Sequence, residues 1–145
     1  MDIILAEDPM DYEIRGMYRF AELKDNGLAD KLRPLWPDNP RLLMVAAEPE
    51  NDTYTENLAM DFATALVKAD LPVGEVRILQ AETADVADKL VPGADVIVLA
   101  DGEAEDADEQ RTVFFNQMGL RALVGEAKNG AVVIALSAAA RDALS

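Results

Sequence analysis

Asp95-Val96-Ile97-Val98-Leu99-Ala100 sets the architecture expected of this chain. Val96 to Leu99 offer no polar face, which is the pattern of a strand in a parallel sheet covered on both sides. Ala131-Val132-Val133-Ile134-Ala135-Leu136 repeats the pattern, and so does Arg41-Leu42-Leu43-Met44-Val45-Ala46-Ala47 after the breaker cluster Pro37-Asp38-Asn39-Pro40. Helix-like segments lie between these runs. Strands alternating with helices predict α/β architecture with a mostly parallel sheet.

The intervening segments complete the order. Leu58, Phe62, Ala65, Leu66 and Ala69 have the 3–4 spacing of an amphipathic helix, with Thr53 and Glu56 as its expected capping box. Glu75 to Leu79 alternates polar and apolar, as an edge strand does. Thr83 is the expected cap of a helix carrying Val86, Ala87 and Leu90, stopped by Pro92-Gly93. A helix through Phe114, Phe115 and Met118 follows, and a second after Gly119 holds Leu120, Leu123 and Val124. At the N-terminus the pattern predicts a strand over Ile3 to Ala6 and a helix over Leu23 to Leu32 with Gly27 inside it. Met10 and Met17 are expected in the core, Trp36 under a loop, and Lys68, Lys89 and Lys128 on solvated helix faces.

The 145 residues suit a single domain, and half of them are apolar, enough for a substantial core. Thirteen Lys and Arg against 28 Asp and Glu leave a formal charge of −15, which disfavours nucleic acid and anionic membrane surfaces. No stretch approaches the roughly 20 apolar residues of a membrane span, and the start lacks the basic flank of a signal peptide. A soluble, cytoplasmic protein is expected. There is no His and no Cys, so imidazole bases, thiolate nucleophiles and the usual zinc ligands are excluded. Neither a cofactor nor a metal is expected.

Ser137 is the first candidate for chemistry. It follows a buried strand directly and precedes the small-residue run Ala138-Ala139-Ala140. A strand–Ser–helix turn can lift a nucleophile to the rim of a sheet, with the N–H groups of the next helix, from Ala138 on, ready for an oxyanion. The same sequence also reads as an ordinary serine N-cap.

Three segments together resemble the dipeptidase E-type serine peptidases of the class I glutamine amidotransferase-like superfamily. They are Asp95 to Gly102, Phe114-Phe115-Asn116-Gln117-Met118-Gly119-Leu120-Arg121-Ala122-Leu123, and Val132 to Ala139. Leu43 to Glu50 with Thr55 adds to the likeness, which runs from about Leu23 to the end and covers the N-terminal part of that family's fold. The resemblance implies a flavodoxin-like three-layer sandwich, here truncated after the nucleophile-elbow position. It also implies descent from an exopeptidase acting on aspartyl dipeptides. Ser137 takes the nucleophile position, and Asp101, Gly102 and Ala138 take the oxyanion region.

The departures from that pattern bear on activity. The elbow glycines of the family are Ala135 and Ala139 here, each adding a methyl where strand and helix approach closely. The first glycine of the oxyanion strand end is Asp101, a carboxylate where donors are wanted. The family's His and acid partner lie downstream of the elbow; eight residues follow Ser137, and the chain has no His. Triad hydrolysis by this chain is therefore not expected.

Two further clusters belong to the same expected rim, outside the carboxyl ends of the strands. Asp101-Gly102-Glu103-Ala104-Glu105-Asp106-Ala107-Asp108-Glu109 is acidic at six of nine positions but lacks EF-hand spacing, and reads as a solvated loop ahead of a helix. Glu48-Pro49-Glu50-Asn51-Asp52-Thr53 ends a central strand. Arg141, one turn past Ser137, is the anion-binding candidate for a small peptide substrate. Three readings remain: a peptidase relative without catalysis, a hydrolase completed by a second polypeptide, and an assembly domain. A homodimer or a complementary chain is expected, because the shortened fold leaves a sheet edge and apolar faces to be covered.

Overall fold

The computed structural model describes residues 2–145. Five strands form one sheet: β1 (Ile3–Leu5), β4 (Arg41–Val45), β5 (Glu75–Leu79), β6 (Val96–Leu99) and β7 (Val132–Ala135). The spatial order is β1-β7-β6-β4-β5, and every neighbouring pair is parallel. Helices cover both faces, which makes a flavodoxin-like three-layer α/β sandwich. β6 and β7 are buried at every residue, as their unbroken apolar sequence requires.

Alternation along the strands separates the two layers of core. Leu42, Met44, Val96, Val98, Val132 and Ile134 face α1 (Leu28–Leu32) and α2 (Asp52–Lys68). Their sequence neighbours Leu43, Val45, Ile97, Leu99, Val133 and Ala135 face α3 (Ala87–Gly93), α4 (Ala107–Met118), α5 (Leu120–Gly125) and α6 (Ala138–Leu144). Of the predicted face of α2, Phe62, Ala65 and Leu66 are buried in this core and Leu58 and Ala69 pack partly against it, with Ala59 buried beside them.

Several local expectations are corrected. The cap of α2 is Asn51, whose side-chain oxygen accepts the Tyr54 N–H at 3.3 Å, so Thr53 lies inside the helix rather than ahead of it. Thr83 sits within a 3-10 turn, Ala81–Val86, that Gln80 opens. Thr83 Oγ1 accepts the Gln80 N–H at 3.0 Å, while the Thr83 N–H donates to the Gln80 carbonyl at 3.1 Å. Gly27 has φ 88 and starts α1 instead of lying within it, because a left-handed residue cannot continue a right-handed helix. Lys128 is exposed as expected but lies in the loop after Gly125 rather than on a helix face, and its Nζ pairs with Asp95 at 3.1 Å.

Residues ahead of α1 form a hairpin, β2 (Met10–Arg15) with β3 (Tyr18–Leu23), antiparallel and apart from the main sheet. Leu23 pairs with Met10 at its base, which ends the expectation of a helix from Leu23. The hairpin rests on α2 through Arg19, which donates to Asp61 at 2.9 Å and lies over the Tyr12 ring, 4.1 Å from its centroid. Met10 and Ala21 are buried at the base. Met17, expected in the core, is 97% exposed at the turn, with Ile14 and Tyr18 also exposed beside it. The turn carries the hairpin past the end of the apolar surface that holds its base.

Candidate functional site

The carboxyl ends of β4, β6 and β7 lie side by side in the sheet, so the Glu48 loop, the Asp101 loop and the Ser137 turn share one rim, as expected for this fold. The Asp101 Oδ1 accepts the Tyr54 hydroxyl at 2.9 Å. Burial pushes the Asp101 carboxyl above its ordinary range, with the Tyr54 hydrogen bond and the charge of Arg111 pulling the other way. Burial also raises the Tyr54 phenol, and the adjoining Asp101 charge raises it further. Where a hydrolase needs N–H donors, this strand end therefore presents an acid locked to a phenol.

The backbone donors of the same loop are occupied by the chain itself. Glu48 is buried, and its Oε2 accepts the N–H of Glu103 at 2.6 Å and that of Ala104 at 3.3 Å. Gly102 is required by this arrangement: a Cβ there would stand 2.6 Å from Glu48 Oε2 and 2.5 Å from the Ala107 Cβ. Asn51 Nδ2 donates to the Glu103 carboxylate at 2.8 Å and ties the two loops together a second time.

Ser137 does not form a nucleophile elbow. Its backbone is extended, with φ −153 and ψ 158, and its Oγ accepts the Ala140 N–H at 3.1 Å. This is helix-capping geometry. Ala135 is wholly buried and Ala138 opens α6, so the segment runs from strand to helix without the tight corner that glycines would allow. Arg141 is not brought to the rim. It pairs with Asp142 at 3.2 Å and lines a groove beside β1 with Asp2 and Lys31.

The acidic run is distributed rather than convergent. Asp106 accepts from Gln110 Nε2 at 2.9 Å, Asp108 pairs with Arg111 at 2.7 Å, and Glu103 is held by Asn51. Among the described residues no group of three or more acidic side chains is placed to hold a metal ion.

Tyr54 and Arg111 were not singled out as site residues from sequence, and Glu48 was named only as part of its loop, without its inward turn. Arg111 is 1% exposed; its Nη2 donates to the Ala100 carbonyl at 3.3 Å, and its Nε has no partner among the described residues. The signal for Arg111 was present in the pattern, because it shares the apolar stripe of α4 with Ala107, Phe114 and Phe115. Tyr54 and Glu48 carry no such signal, since their roles depend on contacts with residues about fifty positions away.

Comparison with protein-family profiles, curated proteins and solved structures gives no match to this chain. No described helix is long and apolar enough to cross a membrane.

Proposed function

We propose that this chain is a non-hydrolytic relative of the dipeptidase E-type serine peptidases, a cytoplasmic domain that works by assembly with another chain rather than by catalysis. The observation that carries this reading is the state of Ser137. Its hydroxyl oxygen serves as the cap of α6, its backbone is unstrained, and no imidazole exists in the sequence to take its proton. The neighbouring donors support the same reading. The Glu103 and Ala104 N–H groups already hold the Glu48 carboxylate, so a developing oxyanion would meet an anion rather than free donors.

The test is hydrolysis of an aspartyl dipeptide and of Asp-p-nitroanilide by the purified chain beside Ser137→Ala. Equal, background-level rates are expected from both. Turnover by the wild type that Ser137→Ala abolishes would overturn the proposal.

A further inference from the structure

The two edges of the main sheet differ in kind. β5 is guarded by charge: Glu75 pairs with Arg77 along that edge and with Arg41 of the neighbouring β4. β1 carries only Ile3, Ile4 and Leu5. The Ala6 N–H is donated to the Ala135 carbonyl at 2.8 Å, so by strand alternation Ile4 faces β7 as well. Ile3 and Leu5 therefore direct their backbone N–H and C=O groups to the open side, where no strand among the described residues pairs with them.

Two open grooves flank this edge, the larger reaching from α1 on one face to α6 on the other. One, of about 490 Å³, is lined by Asp2, Ile4, Leu35, Lys31 and Arg141; the other, of about 420 Å³, by Ile3, Val124, Leu144 and Arg121. Three cations, with Asp2 the one acidic side chain among the described residues lining the same two grooves, thus border an apolar edge in a chain whose formal charge is −15. Lys31 and Arg121 have no ion-pair partner among the described residues, while Arg141 is shared with Asp142. The occupant that fits is an extended segment with an apolar centre and acidic flanks.

Asp2-Ile3-Ile4-Leu5-Ala6-Glu7-Asp8 of this same chain is such a segment. We propose that β1 pairs antiparallel with β1 of a second copy across a two-fold axis at Ile4, joining the two sheets into one of ten strands. This rests on the assembly reading above and assigns its surface. In that register Ile3 lies opposite Leu5 of the second copy, and both have their N–H and C=O groups turned outward. Each Ile3–Leu5 pair therefore exchanges two hydrogen bonds, and Ile4 meets Ile4 at the centre. The acidic flanks of each copy fall toward the Lys31, Arg121 and Arg141 groups of the other, which offsets the repulsion between two acidic bodies. Three paired residues are few, so closure of the flanking grooves by α1, α5 and α6 of the second copy supplies the remaining contact.

Light scattering with size-exclusion chromatography at micromolar chain concentration tests this. The wild type is expected at twice the 15.7 kDa chain mass. Ile3→Pro removes an outward N–H without touching the β7 ladder and is expected to weaken association at least tenfold, with an unchanged circular-dichroism spectrum. Lys31→Glu with Arg121→Glu, both exposed side chains, is expected to do the same should Ile3→Pro fail to fold. A blocked peptide of residues 2–8 in excess is expected to shift wild type toward monomer. A monomeric wild type overturns the pairing. A dimer that persists in both variants also overturns it but leaves the assembly reading intact, and the hydrolysis assay stands apart from either result.

Discussion

The Glu48 carboxylate, just past the end of β4, accepts the backbone N–H of Glu103, just past the end of β6, at 2.6 Å. Fifty-five residues separate them in the chain. The contact puts a fixed anion among the N–H groups at the carboxyl end of a parallel sheet, the place where such folds hold ligands. Its consequence for stability is direct.

Glu48→Ala leaves the Glu103 and Ala104 N–H groups without their acceptor and is expected to cost about 1–3 kcal/mol. The vacated space is the size of a carboxylate. Acetate is therefore expected to raise the melting temperature of Glu48→Ala beyond chloride at equal ionic strength, and to leave wild type unmoved. Equal responses of both proteins to both salts would show that the donors do not form an anion site. Glu48→Gln, which keeps an acceptor, is expected to lose less than Glu48→Ala.

Gly102→Ala places a methyl 2.5 Å from the Ala107 Cβ and 2.6 Å from Glu48 Oε2. The expected loss is roughly 1–3 kcal/mol from overpacking. Because one of the two clashes is with Glu48, combining Gly102→Ala with Glu48→Ala is expected to cost less than the sum of the single changes. Strict additivity in denaturant titrations would contradict the geometry.

Two aspartates give opposite pH dependences. Asp95 accepts the Arg41 N–H at 2.8 Å, which, ahead of the Lys128 charge, holds its carboxyl below its ordinary 3.8. Its contribution is present above that value and is lost as pH falls through the folded-state value. Asp101 is raised above its ordinary 3.8 by burial. The folded state then binds more protons than the unfolded one in the window just above 3.8, so this group lowers stability as pH rises through that window. At neutral pH Asp95→Asn is expected to lower the melting temperature. Asp101→Asn, which still offers Tyr54 an acceptor, is expected to match or exceed wild type. The reverse ranking would reject both assignments.

Ser137→Ala is expected to cost about 1 kcal/mol, the typical value of a lost helix cap. Ser137→Asp keeps an oxygen acceptor at the same position and is expected to melt near wild type. A larger loss for Asp than for Ala would mean that the serine serves something other than the cap.

The alternation of apolar runs and amphipathic segments made the layered parallel sheet legible, since Val96 to Leu99 and Val132 to Ala135 satisfy no other environment than burial on both faces. The edge position of β5 was legible in its polar alternation, and the serine cap in the Ser137-Ala138 junction. The hairpin left a signal that the expected helix from Leu23 and the expected core Met17 do not use: Met10-Asp11-Tyr12-Glu13-Ile14-Arg15 and Tyr18-Arg19-Phe20 alternate apolar and polar on either side of Gly16. Both strands are exposed along most of their length, so burial does not reinforce that alternation, and Met17 in isolation looks like any core methionine.

The rim divides in the same way. Charge, the missing imidazole and the alanines at the elbow are properties of the residue list, and they were sufficient to argue against triad chemistry. Which acid turns inward was decided elsewhere. Glu48 and Glu50 are two residues apart, yet one is buried against the loop after β6 and the other is exposed. Asp101 meets Tyr54 because β6 lies beside β4, whose following loop starts α2. Local patterning encodes which segments must be buried, because burial follows from the side chains of that segment alone. The partners of a buried polar group come from crossovers that bring distant loops together, and those are set only when the whole sheet closes.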